Sequence, residues 1–269
     1  MILGVIIGTV VVVSSRSWPF AWLGLELNLM CFVPIAIKDE TIKKTCIFYF
    51  IAQRIGSLII LVRGILSDYM LTLSGILLFR LVLKIGAIPL HFWVPVVVPT
   101  LTKPIFYTIQ TWQKIAPVSL VAIVFLSKWT LRAVNVWAAA ATMLTISSPL
   151  FMVIFSGIVQ IGWIFSLSGL TLWWFVLIYF LVLGPIIIFM QTSSRNFLLS
   201  LINGAGLPPF TGFIIKLKAL KSLSGKIGNL LIIGRGLALV SYSRILLNHQ
   251  FSFSKIRVLV LISLIAGIV

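Results

Sequence analysis

The chain has 269 residues, 61% of them hydrophobic and 9% charged, with 21 Lys and Arg against four acids for a net charge of +17. A soluble globule is apolar over nearer ~45–50% of its residues, so this composition excludes water as the main solvent of the chain. Hydrocarbon offers no partner to a backbone N–H or C=O. Spanning segments are therefore helices or closed barrels, and the continuous apolar runs found here read as helices.

In chain order, apolar stretches fall at 1–14, 19–37, 44–63, 65–84, 104–126, 133–147, 150–167, 171–190, 197–220, 228–247 and 256–269. Most are near the ~17–25 residues that a bilayer demands. The expected fold class is all-α: a polytopic transmembrane helical bundle of about eleven helices, forming a single integral membrane domain over 1–269. The opening MILGVIIGTVVVVSSRSWPF has no basic region before its apolar run and reads as the first span rather than a cleaved signal. Connections of a few residues leave no room for a nucleotide, flavin or iron–sulfur domain. The Gly-rich pieces NGAGLPP (203–209) and GRGLAL (234–239) do not complete G-x-G-x-x-G after a strand. Cys31 and Cys46 lack C-x-x-C spacing and read as buried free thiols.

The basic residues are scattered along connections instead of forming one stripe, which disfavours nucleic acid and favours membrane surface and anionic lipid as partners. One set of alternate connections carries Arg16, Arg63, Lys128, Arg132, Lys218, Lys221 and Lys226. The other carries Lys38, Lys43, Lys44, Lys103, Arg195, Lys255 and Arg257. The two sets are equal, so positive charge sets no orientation.

The seven remaining basic residues and one acid lie inside spans: Glu26, Arg54, Arg80, Lys84, Lys114, Lys216, Arg235 and Arg244. Each costs at least ~2.5–3.5 kcal/mol at a bilayer centre unless it finds a partner, a wet cavity or the interface. Arg54, Arg235 and Arg244 are expected to snorkel. Arg80 stands one turn before Lys84, a mildly repulsive spacing that implies hydration or a nearby acid. Glu26, Lys84, Lys114 and Lys216 stand apart because polar or helix-breaking residues accompany each one. Gln110, Gln113, Lys114 and Pro117 follow i, i+3, i+4, i+7 spacing and form one polar face. Ser156 with Gln160, and Gln53 with Ser57, repeat the i, i+4 pairing, a spacing that interhelical hydrogen bonding alone also accounts for.

Two segments carry breakers. In LKIGAIPLHFWVP (83–95), Lys84 is followed by Gly86, Pro89 and Pro95. In NGAGLPPFTGFIIK (203–216), Gly204, Gly206, Pro208, Pro209 and Gly212 precede Lys216. Proline removes an N–H and clashes with the preceding turn, so two interrupted helices with freed carbonyls are expected. Paired interrupted helices are a common way to build an ion path, and a kink that serves only packing is the alternative. Buried amines and carboxyls whose charges sense one another can load and release protons. The chemistry expected is a proton relay without a nucleophile: no Ser/His/Asp set, metal cluster or second carboxylate accompanies these residues.

At these positions the chain resembles the subunit 2 family of mitochondrial NADH:ubiquinone oxidoreductase, respiratory complex I, whose members are antiporter-like membrane-arm proteins. The resemblance rests on WLGLELN (22–28), LKIGAIPLHFWVP (83–95), TWQKIAP (111–117), SGIVQIGW (156–163) and GAGLPPFTGFIIK (204–216), in that order. It implies that Glu26 pairs with Lys84, and that Lys114 and Lys216 continue a hydrated line across the membrane. His91, Gln110, Gln113, Ser156 and Gln160 would be secondary members of that line. It also implies neighbouring membrane-arm subunits as partners, the mitochondrial inner membrane as location, and membrane phospholipids including anionic lipid such as cardiolipin. No cofactor is implied in this chain, with NADH, FMN, iron–sulfur clusters and ubiquinone belonging to other subunits. The chain departs from the family pattern at Val96, where an acid usually follows HFWVP, and at Leu150 and Phe151, where a basic pair is expected.

Overall fold

The computed structural model describes residues 1–37, 40–66, 73–124, 129–190, 194–207, 210–223 and 225–248. Helix is the regular structure throughout these residues, and it falls into two compact units, Met1–Ser127 and Lys128–Val269. Among the described residues every expected apolar stretch up to 228–247 falls mainly on helix, whereas 256–269 lies outside the described residues.

The first unit opens with α1 (Ile2–Ser14) and α2 (Trp18–Ala36). Their backbones meet at Gly8 and Gly24, where an added Cβ would lie 2.8 Å from the partner glycine's carbonyl in each direction. Small residues at this crossing allow close approach in a medium that supplies no hydrophobic force between helices. There follow α3 (Glu40–Leu66), α4 (Leu73–Ile85) and the short α5 (Val94–Val97). Next come α6 (Lys103–Gln110) and α7 (Trp112–Val124). Helix α2 packs on α1 and α3, and α4 packs on α3 and α7. The expected single helix over 104–126 is divided at Thr111, whose ψ of −81° leaves the helical range and whose hydroxyl and N–H both bond the Tyr107 carbonyl.

The second unit is built around α9 (Pro149–Ile164), buried on every side from Met152 to Ile164, as befits a helix apolar all round. It packs on α8 (Trp129–Thr145), where Val136 projects toward Gly162 of α9, and Asn135 Nδ2 donates to the Ile158 carbonyl at 2.7 Å. Helix α10 (Gly169–Phe189) meets α9 through the stacked rings of Trp163 and Phe175, 6.3 Å apart. The expected span over 197–220 is two helices, α11 (Ser194–Ala205) and α12 (Thr211–Lys221). Helix α13 (Gly225–Asn248) then packs on α8 and α11.

The surface is inverted relative to a soluble protein. Leu170, Leu181, Phe20 and Ile214 are 79%, 65%, 62% and 61% exposed, whereas Glu26, Lys84, Lys114 and Lys216 are 6–7% exposed. Helices α2 and α10, of 19 and 21 residues, are each long and apolar enough to cross a membrane. With hydrocarbon as the outer solvent this pattern is the stable one, because apolar side chains face the lipid and charged groups are withdrawn from it.

Candidate functional site

Both sequence-predicted helix breaks have the same backbone form. In the first, the Gly86 N–H donates to Leu83 at 3.2 Å and the Ala87 N–H to Val82 at 3.0 Å. In the second, the Gly206 N–H donates to Asn203 at 3.0 Å and the Leu207 N–H to Ile202 at 3.3 Å. This double bond pattern is the Schellman helix stop, with glycine at the left-handed position: φ is +74° at Gly86 and +80° at Gly206. Pro89 lies in the turn that follows the first stop, with His91 half-buried beyond it. Pro208 and Pro209 lie outside the described residues.

A helix stop leaves its last carbonyls without backbone donors. Around the first stop, Trp93 Nε1 donates to the Leu83 carbonyl at 2.8 Å and Gln53 Nε2 to the Lys84 carbonyl at 3.2 Å. Around the second, Lys216 Nζ donates to the carbonyls of Gly204 at 3.1 Å and Ala205 at 2.9 Å, and the Arg235 guanidinium donates to that of Gly206. Asn203 returns the contact. Its Oδ1 accepts from the Gly212 N–H at 3.0 Å and the Thr211 hydroxyl at 3.1 Å, capping the start of α12. Each half of the broken helix thus supplies the other's missing partner.

In the first unit, the Glu26 carboxylate on α2 is paired with Arg54 and accepts a hydrogen bond from the Ser57 hydroxyl, both on α3. Lys84 reaches the same turn of α3: a Cβ added at Gly56 would lie 3.0 Å from its Cγ. Among the described residues the Lys84 ammonium has no hydrogen-bond partner of its own. Lys114 Nζ donates to Gln110 Oε1 at 2.6 Å across the division at Thr111, while Gln113 Nε2 donates to Asn28 Oδ1 at 2.9 Å. In the second unit, Ser156, Gln160, Lys216, Arg235 and Tyr242 surround a cavity of about 10 Å³, and among the described residues Gln160 Oε1 has no donor. A space of ~10–15 Å³ holds one water.

The arginines expected to snorkel are instead bound within the protein. Arg54 pairs with Glu26 and lies 5.4 Å from the Phe50 ring. Arg235 lies 5.2 Å from the Phe213 ring besides holding Gly206. Arg244 donates to the carbonyls of Leu144 and Ile146 at the end of α8. The partners of Arg235 and Arg244 are backbone carbonyls at helix ends, which no residue letter announces. Their one sequence signal is that residues 128–269 contain no Asp or Glu at all, so a buried cation there has only carbonyls and amides to turn to.

Replacing Arg54 with Leu leaves the Glu26 carboxylate, 9% exposed in its side chain, with a hydroxyl alone. The expected loss is about 1–3 kcal/mol, toward the lower end because the guanidinium is 34% exposed. Thermal denaturation measures it. Adding Glu26→Gln should recover part of the loss, and a double variant no more stable than Arg54→Leu would deny the coupling.

A lipid-facing helical bundle whose buried amines sit at interrupted helices has the antiporter-like membrane fold. The chain belongs to the NADH-ubiquinone oxidoreductase chain 2 family. It is 31% identical over 263 residues to the Varanus baritji member, covering 81% of this chain and 74% of that one. To the Myxine glutinosa member it is 30% identical over 263 residues, covering 83% and 76%. The Lumbricus terrestris member is 28% identical over 265 residues, covering 85% and 78%. No protein-family profile matches the chain. Among solved structures, a chain of respiratory complex I from Thermus thermophilus superposes with a TM-score of 0.76 at 17% identity, covering 99% of this chain and 75% of that one. A chain of the Mrp complex from Dietzia sp. gives 0.75 at 15% identity, covering 91% and 59%. At these identities the likeness is one of fold.

Proposed function

We propose that Glu26, Lys84, Lys114 and Lys216 carry protons through the membrane part of the enzyme, with His91, Gln110, Gln113, Ser156 and Gln160 as polar stepping points. The chain is a membrane-arm subunit of respiratory complex I, the H⁺-translocating NADH:ubiquinone reductase. The observation carrying the relay reading is the burial of these four groups, 6–7% exposed, in a bundle whose outer side chains are apolar. Such burial has a large cost and is retained where charge movement is the task. A spacer that only held the membrane arm together would not need it.

In this reading the Arg54–Glu26 pair and Lys84 share one turn of α3, so protonation of the carboxylate changes the field at the amine. Lys114 and Gln110 form a second station, and Lys216 with the Gln160 cavity a third. The two compact units work as one integral membrane domain, 1–269, a reading supported by a fold neighbour that covers 99% of the chain. Gly86 and Gly206 make the helix breaks that open carbonyls to the relay, with Pro89 in the turn after the first and Pro208 and Pro209 following the second in sequence. NADH, FMN, iron–sulfur clusters and ubiquinone belong to other subunits, and this chain takes its driving energy from them. Its location is the mitochondrial inner membrane, among neighbouring membrane-arm subunits and phospholipid that includes anionic species such as cardiolipin. The +17 charge and the family's name support that placement.

Lys84→Met and Glu26→Gln test the relay. Each should lower protons moved per NADH oxidised in sealed liposomes more than it lowers the amount of assembled complex. Normal proton yield in both variants would sink the reading. A self-standing cation/proton antiporter is the rival from the same fold, and cation-coupled proton transport by the purified chain alone would favour it.

A further inference from the structure

Helices α10 and α12 enclose a groove of about 490 Å³ on the outside of the second unit, within the ~300–1,000 Å³ of small-molecule sites. Its walls are two stripes at helical spacing, Trp174, Ile178 and Leu181 on α10 and Ile214, Ile215 and Lys218 on α12. From Thr171 to Val182 the α10 wall runs about 16 Å, close to the ~15 Å of one leaflet's hydrocarbon. The lateral side is open: Leu181, Ile214 and Trp174 are 65%, 61% and 54% exposed.

The two ends differ in chemistry. At the deep end, the Thr211 hydroxyl donates to Asn203 Oδ1, and the lining there carries no charged side chain. At the other end, near the start of α10, Lys218 Nζ lies 5.9 Å from the centre of the Trp174 ring, with exposed Lys221 three residues on. Tryptophan and lysine together mark the level of lipid headgroups. No carboxylate exists between residues 128 and 269 to neutralise these lysines.

We propose that this groove binds an anionic phospholipid, its phosphate held by Lys218 and one acyl chain lying between α10 and α12. The site gives a place to the anionic-lipid partner proposed above and rests on that reading. Positive charge at the mouth complements the phosphate, and the wall length matches a chain entering from one leaflet. A neutral lipid fills the same groove without gaining the ionic contact, so the expected preference for the anionic headgroup is about fivefold, the discrimination one lysine gives at a charged surface.

The test uses the assembled complex in phosphatidylcholine nanodiscs containing phosphatidylglycerol with a photoreactive acyl chain, and maps cross-linked peptides by mass spectrometry. Adducts are expected on 171–182 and 211–219, falling about fivefold in Lys218→Gln. They should also fall in Ile214→Trp, which narrows the groove between α10 and α12 and leaves Lys218 in place. Equal labelling by photoreactive phosphatidylcholine overturns the proposal, as does absence of adducts because a neighbouring subunit covers both helices. Labelling of other surfaces of the complex reads the broader lipid partnership separately. If it persists while these two peptides stay blank, the groove alone fails; if it vanishes everywhere, both readings fall.

Discussion

Lys216→Met is expected to slow proton passage through this subunit by about 10²-fold, the typical worth of a placed proton-transfer group. The ammonium also caps the carbonyls of Gly204 and Ala205, so the same change weakens the break between α11 and α12. Lys216→Arg separates the two roles. Arginine keeps the positive charge and the donors that hold the carbonyls, but does not release its proton in a protein. The Arg variant should therefore assemble near normally on native gels while its proton yield per NADH stays as low as that of the Met variant. An Arg variant that pumps normally would reduce Lys216 to a structural cap.

Gly206→Ala should destabilise the second unit through backbone strain and a close contact together. At φ of +80° an L-residue costs roughly 1–2 kcal/mol. The new Cβ would also lie 3.0 Å from the Gly212 carbonyl and 3.1 Å from Lys216 Nζ, which adds strain and displaces the amine. A total of about 2–4 kcal/mol follows. Gly169 is the internal control: its φ is +59°, yet an added Cβ meets nothing within 4 Å. Gly169→Ala should therefore show the backbone penalty alone, about 1–2 kcal/mol. Helix loss on heating, followed by circular dichroism, compares the two. Equal losses would remove the packing part of the argument.

The helical class and both interruptions were legible in the sequence because their causes are local. Apolar runs near twenty residues have one solution in lipid, and Gly86 and Gly206 sit where a helix must turn left-handed to stop. The division at Thr111 was not legible, since a threonine in an apolar run resembles any other helical position until its hydroxyl takes the Tyr107 carbonyl. The set Glu26, Lys84, Lys114 and Lys216 stood out through neighbouring polar residues and breakers, and all four are buried. Arg54 and Arg235 did not stand out. Long basic side chains in spans ordinarily reach for the interface, and only three-dimensional placement brings Arg54 to Glu26 and Arg235 to a carbonyl exposed by a break 29 residues away.

The reciprocal capping between α11 and α12 ties charge to mechanics. A lysine offers three N–H donors while protonated and two once neutral, and two of them here are engaged with the carbonyl end of α11. Loss of the proton also removes the charge that strengthens both bonds. The stiffness of this joint therefore depends on whether Lys216 carries its proton. A force that bends the joint from outside shifts the proton's binding energy in return, and by reciprocity a proton arriving from elsewhere tightens the joint. Under the proposed relay, such a hinge would convert strain into proton release within the fourteen residues from Asn203 to Lys216, with no redox group of its own.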